Sequence, residues 1–205
     1  MQTEPWCEIY LLDVASLVAD EAAMSCLSPY RQDKVRKFKH DGGRRLSLGA
    51  GLLLDYALRR HDMSEKAAEY TFGEHGKPHI EGVHFNLSHS GTMVACAVAS
   101  CAVGIDIEKT SRRYSEALLR HVCCEAEQEQ VRRDPSTFFD LWTAKEAVTK
   151  MTGTGIGVDL RNIDISKCTT WRLDEGYAMS LATEEKCNAS IVHCTLSTIF
   201  ADRND

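Results

Sequence analysis

Two apolar runs separated by a Ser-Gly pair constrain the fold of this chain more than any other feature. They lie in FNLSHSGTMVACAVASCAVGIDIEKT, residues 85–110, and the small turn residues between them predict two adjacent antiparallel strands. In the continuation AVGIDIE, the side chains of a strand alternate between its two faces. The apolar residues therefore share one face, and the other face carries Gly104, Asp106 and Glu108. This strand is suited to burial on one side only.

Two carboxylates on one face of a strand repel each other unless a positive charge lies between them. Asp106 and Glu108 are two positions apart, roughly 6–7 Å at their Cα atoms. Mg²⁺ commonly binds one or two carboxylates together with the phosphates of a substrate. The alternative interpretation is a strand end whose outer face is simply solvated.

A third acid lies in FFDLWTAKEAVTK, residues 138–150, where aromatic and aliphatic residues form one stripe of a predicted helix. Glu146 follows Trp142 by four residues and continues that stripe. A carboxylate that points inward is costly unless it is paired or bound to a metal. Lys150, four residues further, offers the alternative of a Glu–Lys pair on the helix surface. The residues alone leave both interpretations open.

Positive charge is concentrated in SPYRQDKVRKFKHDGGRR, residues 28–45, although the whole chain carries a net charge of −6. Such a run predicts either a solvated basic helix or a surface that binds phosphate. Lys77 projects from the tight turn GKP. The segment NLSHSG places Ser88 and His89 at the predicted hairpin turn, where free backbone N–H groups can meet an anion.

Length and composition indicate a soluble globular protein. The chain has 205 residues, 43% hydrophobic and 26% charged, enough for one sizeable core or two lobes. Its negative charge argues against a nucleic-acid-binding surface. No run of about 18 apolar residues predicts a membrane span, and the first residues lack a signal-peptide pattern. Nine scattered cysteines fit reduced thiols, so we expect a cytoplasmic protein.

The order of secondary-structure patterns predicts an α+β chain of two lobes. A strand pattern at 6–14 is followed by helical patterns, the hairpin at about 83–108, whose second strand ends in the two acids, a second helical block, and short strands up to residue 200. The predicted helices lie near 16–25, 29–39 and 44–60, and within 114–151, with an interruption at Asp134-Pro135. We place the N-terminal lobe at 1–102 and the C-terminal lobe at 103–205.

Four motifs, in the order GKPHI, FNLSHS, GIDIEKT and FFDLWTAKEAVTK, resemble the Sfp-type 4′-phosphopantetheinyl transferases. The resemblance covers about residues 28–157. It implies two similar lobes related by pseudo-twofold symmetry, with the active site in the cleft between them. It also implies Mg²⁺-dependent transfer of 4′-phosphopantetheine from coenzyme A to a serine of an apo acyl or peptidyl carrier protein, with release of 3′,5′-ADP. We expect the enzyme to be a monomer.

The resemblance implies a role for individual residues that match the motifs. The implied Mg²⁺ ligands are Asp106, Glu108 and Glu146. The implied contacts to coenzyme A are Arg31, Lys34, Arg45, Lys77, Ser88, His89, Lys145 and Lys150, with His89 beside the 3′-phosphate. We predict that Lys145 and Glu146 are the catalytic residues. Lys145 is expected to neutralise charge on the pyrophosphate together with Mg²⁺. Glu146 is our choice as acceptor of the serine proton, directly or through a metal-bound water, because it is the implied ligand on the helix that also carries Lys145 and Lys150.

Three positions depart from the family pattern. Arg31 stands where the Sfp type has lysine, which keeps the charge but alters the geometry. Ile107, between the two acids, adds no ligand, so water completes the implied metal shell. The segment HDGGRR is one residue shorter than the family pattern, which leaves Arg44 as an alternative to Arg45.

The resemblance places the carrier-docking surface near Arg112–Cys124, where arginines surround an apolar centre. The alternative is that Leu118, Leu119 and Val122 are the buried face of a helix. Two other classes of function also remain open. A Mg²⁺-dependent nuclease or phosphohydrolase would use the acids and lysines but leaves the basic helix unexplained. A non-catalytic binding module would not need all three acids.

Overall fold

The computed structural model describes residues 4–155 and 157–201 as a mixed α and β chain. Its strands are β1 Trp6–Asp13, β2 Thr71–Phe72, β3 Pro78–His79, β4 His84–Ser90, β5 Met93–Ala99, β6 Val103–Lys109, β7 Cys168–Leu173, β8 Tyr177–Thr183 and β9 Asn188–Cys194. Its helices are α1 Glu21–Met24, α2 Pro29–Arg36, α3 Asp41–Arg59, α4 Glu116–Val122, α5 Glu125–Arg133, α6 Thr137–Thr152 and α7 Leu196–Ala201, with a 3₁₀ turn at Leu160–Asn162. The α+β prediction is confirmed.

Two large sheets organise these elements. The first has the strand order β4-β5-β1-β9 and the second has the order β6-β8-β7. Neighbouring strands are antiparallel except β1 and β9, which run parallel. The hairpin predicted from the two apolar runs is confirmed as β4 and β5. Its predicted extent to residue 108 is wrong, because the chain leaves the first sheet after Ala99 and the acids lie on β6, which pairs with β8 in the second sheet.

The prediction that Ser88 and His89 lie at the hairpin turn is wrong. β4 continues to Ser90, so Ser88 lies opposite Ala95 and its backbone belongs to the strand pair. The turn is formed instead by Gly91 and Thr92, and Gly91 has a φ of 61°, which favours glycine. The polar side chains of β4 therefore belong to a strand in which Ser88 and Ser90 are buried, rather than to an exposed loop.

The core has the order helix, sheet, sheet, helix. Alternate residues of β1 and β5 pack against α3 on one side and against β6 and β8 on the other. The apolar residues of β6 lie in the layer between the sheets, as the alternation predicts. A third cluster lies where α4, α5 and α6 cover the second sheet. The face of β6 that bears the acids is thereby turned toward α6.

Two predicted elements have different limits in the structure. The helix near 16–25 shrinks to the four residues of α1, which begins where Asp20 caps the N–H of Ala23. The last strand ends at Cys194, and Thr195 then accepts a hydrogen bond from the N–H of Thr198 at the start of α7. Local capping by short polar side chains decides both boundaries.

The pattern of backbone hydrogen bonds does not divide the chain into two lobes at a single position. The two large sheets divide between β5 and β6, yet β9 returns to pair with β1. The predicted lobe limits 1 and 205 lie outside the described residues, as does Ile156. The lobe division at 102/103 and the pseudo-twofold relation stay predictions. No helix in the described ranges is long and apolar enough to cross a bilayer.

A close contact between α6 and β6 sets the geometry of the second half. A Cβ atom at Gly104 would overlap backbone atoms of Ala147 and Met151. The helix backbone therefore rests directly on the strand, which only glycine permits. This contact places Glu146 and Lys150 beside the acids of β6.

We expect Gly104→Ala to lower the free energy of unfolding by about 1–3 kcal/mol, because the added methyl must push α6 away from β6. The measurement is urea unfolding followed by circular dichroism. Gly42→Ala is the matched control, since a Cβ at Gly42 in the first turn of α3 meets nothing within 4 Å. Equal stability of the two variants would contradict the close contact.

Candidate active site

β4 and β6 belong to different sheets, and side chains of β4 bridge them. Asn86, Ser88 and Ser90 alternate along β4 and point the same way. Each accepts a hydrogen bond from a backbone N–H of β6: Ile105 N to Asn86 Oδ1 at 2.9 Å, Ile107 N to Ser88 Oγ at 3.3 Å, and Lys109 N to Ser90 Oγ at 3.1 Å. We call this set of contacts the β4–β6 seam. It joins the two sheets at the acidic end of β6.

Asp106 lies at the centre of the seam and is only 5% exposed. Its Oδ1 accepts hydrogen bonds from Ser88 Oγ at 2.7 Å and Lys150 Nζ at 2.6 Å. Its Oδ2 is buried and has no partner. A buried carboxylate oxygen without a partner is costly, so this atom is directed at something the protein itself does not provide.

Lys150 connects α6 to both strands. Besides Asp106, its Nζ donates to Ser88 Oγ at 3.0 Å and to the carbonyl of Ile105 at 3.3 Å. These three acceptors use all three hydrogens of the ammonium. No ion pair joins Lys150 to Glu146 in the part of the chain that the structure describes, so the alternative of a helix-surface pair is wrong.

The three acids are electrostatically coupled. Glu108 accepts a hydrogen bond from Ser90 Oγ at 2.7 Å and pairs with Arg112 at 3.2 Å. Burial raises the pKa of Glu108, and the charge of Asp106 raises it further. Burial also raises the pKa of Glu146, again with a further contribution from Asp106. The fold thus holds three carboxyl groups together against their mutual repulsion.

The donor set suits a hard divalent cation, although the cage is not preformed. No group of three His, Cys, Asp or Glu side chains among residues 4–155 and 157–201 already has metal-binding geometry. The Oδ2 of Asp106 has no partner, and the pKa values of Glu108 and Glu146 are raised by burial and, to a smaller extent, by the charge of Asp106. Carboxylate oxygens in this state are the ligands that Mg²⁺ prefers.

A cavity of about 550 Å³ opens beside the seam. It combines the acids Asp106 and Glu108 with basic residues from the N-terminal half. The charged and polar residues that line it are Arg31, Lys34, Lys37, Ser47, Ser88, His89, Asp106, Glu108 and Lys150. Most of the residues predicted to hold a nucleotide and a metal therefore meet in one place.

Arg31 is held rigidly at the edge of this cavity. It is 5% exposed, and its Nε donates to the hydroxyl of Tyr70 at 3.3 Å. Tyr70 donates in turn to Glu65 at 2.7 Å, and Glu65 also accepts two hydrogen bonds from Ser28. The Nη2 of Arg31 is buried without a partner. Sequence reasoning missed Glu65 and Tyr70 because they are more than 30 residues from Arg31 and carry no motif.

Lys34 and His89 complete the basic side of the cavity. Lys34 Nζ lies 5.2 Å from the centre of the Tyr30 ring, within reach of a cation–π contact. The side chain of His89 is exposed on β4. Desolvation by neighbouring groups lowers the pKa of His89, and the nearby charge of Lys150 acts in the same direction.

Lys77 lines a second cavity of about 440 Å³, on the other side of Lys150. Its Nζ donates to the carbonyl of Val103 at 3.2 Å and to that of Met151 at 2.9 Å. Burial lowers the pKa of Lys77. Glu146 lines this second cavity, and Lys150 lines both, so the two spaces meet at the lysine.

Neither Arg44 nor Arg45 is among the residues that line either cavity. Arg45 Nη1 donates to the carbonyl of Ala15 at 2.8 Å. Arg44 has a buried Nε without a hydrogen-bond partner and lies one turn before Ser47, which does line the first cavity. The assignment of Arg45 as a phosphate contact stays a prediction, with Arg44 as its alternative.

The structure does not bring Lys145 to the acids. Lys145 follows Phe138 and Leu141 at helical spacing, and it is fully buried on their side of α6. Its Nζ donates to Glu127 at 2.6 Å and to the carbonyl of Val122 at 3.0 Å. The lysine that faces the cavities is Lys150, because it shares the stripe of Glu146 at a spacing of four residues.

Comparison with known proteins agrees with this geometry. Sfp of Bacillus subtilis (strain 168), a 4′-phosphopantetheinyl transferase, is 30% identical over 84% of this chain and 89% of its own. The chain belongs to the Sfp-type 4′-phosphopantetheinyl transferases. The family model of the 4′-phosphopantetheinyl transferase superfamily matches residues 102–193 of the transferase, which include β6 and α6.

Other relatives carry the same name. The transferase gsp of Aneurinibacillus migulanus is 32% identical over 60% of this chain and 54% of its own. HetI of Nostoc sp. (strain PCC 7120 / SAG 25.82 / UTEX 2576) is 31% identical over 62% of this chain and 59% of its own. The reaction of this family transfers phosphopantetheine from coenzyme A to carrier proteins, and the transferase is an enzyme of this class.

We expect Glu146→Gln to raise the free energy of unfolding at pH 7 in metal-free buffer. Because the pKa of Glu146 is raised in the fold, ionisation costs stability, and this loss grows as the pH rises through that pKa. The difference between variant and wild type should shrink at low pH, where the carboxyl is protonated. Thermal unfolding across pH measures it, with the exposed Glu184→Gln as control. A variant less stable than wild type at pH 7 would contradict the coupling.

Proposed function

We propose that the transferase moves 4′-phosphopantetheine from coenzyme A to a serine of an apo acyl or peptidyl carrier protein, depends on Mg²⁺ and releases 3′,5′-ADP. One observation carries the proposal. The Nη2 of Arg31 and the Oδ2 of Asp106 are buried without partners, and both residues line one cavity. A pyrophosphate with its divalent cation supplies the partner that each of these atoms lacks.

The residues proposed to hold Mg²⁺ are Asp106, Glu108 and Glu146. A cation bound there would neutralise charge on the pyrophosphate and orient it. The protein's own contribution is to keep the three acids close. Ser88 and Ser90 hold Asp106 and Glu108 by hydrogen bonds of 2.7 Å each.

We assign the nucleotide end of coenzyme A to the 550 Å³ cavity, where Arg31, Lys34 and His89 supply positive charge or hydrogen bonds. Charge-assisted bonds to phosphate are among the stronger contacts a protein makes. His89 is proposed to meet the 3′-phosphate. The hydroxyl of Ser88 already makes one donated and two accepted hydrogen bonds, so its proposed role shifts from coenzyme A contact to support of Asp106.

In the proposed chemical step, the oxygen of the carrier serine forms a bond to the β-phosphorus of coenzyme A. The bond from that phosphorus to the bridging oxygen breaks, and 3′,5′-ADP leaves. Lys150 faces the reacting phosphate in the role first expected of Lys145, which is committed to Glu127. The serine proton passes to Glu146, directly or through a water, because Glu146 is the acid on the helix that also carries Lys150. Positioning and charge supply most of the catalysis in such a transfer.

The cytoplasm is the proposed setting of the enzyme. All nine cysteines are free thiols in the structure, and burial raises the pKa of several of them, including Cys7 and Cys96. Protonated, buried thiols are inert in a reducing compartment.

We expect Asp106→Ala to abolish transfer, since it removes a proposed Mg²⁺ ligand, and to lower stability, since Lys150 and Ser88 lose a buried acceptor; circular dichroism checks that the variant used is folded. An apo carrier is incubated with coenzyme A and Mg²⁺, and mass spectrometry records the gain of one phosphopantetheine group. Asp164→Ala, in an exposed loop, is the control and should turn over like wild type. Transfer by Asp106→Ala at the wild-type rate would refute the acid site. Loss of coenzyme A without modified carrier would indicate a phosphohydrolase instead.

The predicted docking surface needs one correction. Leu119 and Val122 are fully buried in the third core cluster, so the alternative of a buried helix face holds for them. Beside them, a cavity of about 620 Å³ is lined by three arginines, Arg112, Arg113 and Arg172, and by three aromatic residues, Tyr114, Phe139 and Tyr177. We propose that an acidic carrier docks at this basic cavity, next to Glu108, with which Arg112 pairs.

We expect Arg113→Glu to raise the KM for the carrier roughly tenfold, which corresponds to about 1.4 kcal/mol, and to leave the KM for coenzyme A unchanged. Arg113 is chosen because Arg112 touches Glu108 and would disturb the acids directly. The control is Arg133→Glu, an exposed arginine on α5 outside this cavity. An unchanged KM for the carrier in Arg113→Glu would move the docking site elsewhere.

A further inference from the structure

The β4–β6 seam repeats one contact three times. Asn86, Ser88 and Ser90 each accept the N–H of a β6 residue 19 positions later in the chain. Those N–H groups point away from β8, which pairs with the other edge of β6. Buried backbone donors are nearly always paired, and here the partners are side chains of another sheet. The polar residues of the pattern N-x-S-x-S on β4 therefore recur every two positions, as do the N–H groups on the edge of β6 that they cover.

Two of the three side chains also hold an acid. Ser88 donates to Asp106 and Ser90 donates to Glu108, each at 2.7 Å. Ser90 is 5% exposed and lines neither cavity beside the acids. Its single hydroxyl thus fixes the backbone at Lys109 and the carboxylate at Glu108 at the same time.

We propose that Ser90 and Asn86 are positioning residues for phosphopantetheinyl transfer, which act by setting the place of β6 and its acids against the first sheet. Ser90 positions Glu108 directly, and Asn86 secures the other end of the strand at Ile105. This inference rests on the proposed function of the acids. It adds the requirement that the acids function only while the hydrogen bonds of the β4–β6 seam are formed.

A side-chain seam explains a feature that a backbone ladder would not allow. Paired strands lie about 4.8 Å apart, which leaves no room for a third group between them. At the seam, Lys150 reaches the carbonyl of Ile105, the hydroxyl of Ser88 and the carboxylate of Asp106 together. The wider spacing admits the ammonium to the centre of the site.

The test uses Ser90→Ala in the full chain, with Ser100→Ala as the matched control. Ser100 also accepts a backbone N–H, that of Trp6 at 3.0 Å, but Ser100 is an exposed residue and lines neither cavity beside the acids. We expect Ser90→Ala to lose roughly ten- to a hundredfold in kcat with little change in the KM for coenzyme A, because a hydrogen bond to a charged group is lost. Hydrogen exchange of the Lys109 amide, measured by NMR without substrate, should become faster in Ser90→Ala and stay unchanged in Ser100→Ala.

Unchanged kcat in a folded Ser90→Ala would overturn the proposal, and so would a lower kcat without faster exchange at Lys109. If Ser90→Ala does not fold, Ser90→Cys carries the same test, since it fills the volume but bonds weakly. The amide exchange does not depend on the reaction. If the wild-type protein fails to modify any carrier, the proposed function is wrong. The exchange rate of the Lys109 amide then still tests whether Ser90 holds β6 in place.

Discussion

The ammonium of Lys150 connects three parts of the molecule that the chain does not connect. It bonds the first sheet through Ser88, the second sheet through the carbonyl of Ile105, and an acid of the site through Asp106. Lys150 itself belongs to α6, which rests on Gly104 with backbone against backbone. A charge with all its hydrogen bonds made in a half-buried position tolerates little displacement. The spacing of the two sheets and the geometry of the acids depend on the same group.

The site holds like charges and unpaired polar atoms close together. This arrangement costs free energy of folding that the rest of the structure must offset. Three acids share a small region, and Asp106 raises the pKa of both Glu108 and Glu146. An oxygen of Asp106 and a nitrogen of Arg31 are buried without partners. The large cores on both sides of the first sheet provide the stability that such a site consumes. The unpaired oxygen of Asp106 and the unpaired nitrogen of Arg31 belong to groups of opposite charge that line one cavity. Such a cavity favours a ligand that carries both negative and positive charge.

The residues that line this site and the residues that hold them in place come from different parts of the chain. Arg31 is held by Tyr70 and Glu65, and Asp106 is held by Ser88. Glu65 and Ser88 are buried although they are polar, Tyr70 is partly buried, and each makes hydrogen bonds that fix one orientation. Preorganised charges of this kind lose little free energy to rearrangement when a ligand binds.

The local sequence pattern was sufficient to predict much of this structure. Alternation along β6 correctly assigned its apolar residues to one face and Asp106 and Glu108 to the other, because a strand has a strict period of two. The motifs predicted the family, and most of the residues predicted to hold a nucleotide and a metal meet in one cavity. Helix spacing also carried enough information to separate Lys145 from Lys150, since Lys145 follows Phe138 and Leu141 on the buried stripe.

The sequence by itself therefore determined the strands, the long helices, the faces of β6 and the membership of the family. Only the tertiary structure decided the partners of each charged group: Lys150 bonds Asp106 instead of Glu146, and Lys145 bonds Glu127. It also moved Ser88 from a turn into a strand and paired β9 with β1. The physical reason is distance along the chain. Periodicity reports which way a side chain points within one element, whereas a partner dozens of residues away is chosen by how the sheets and helices pack.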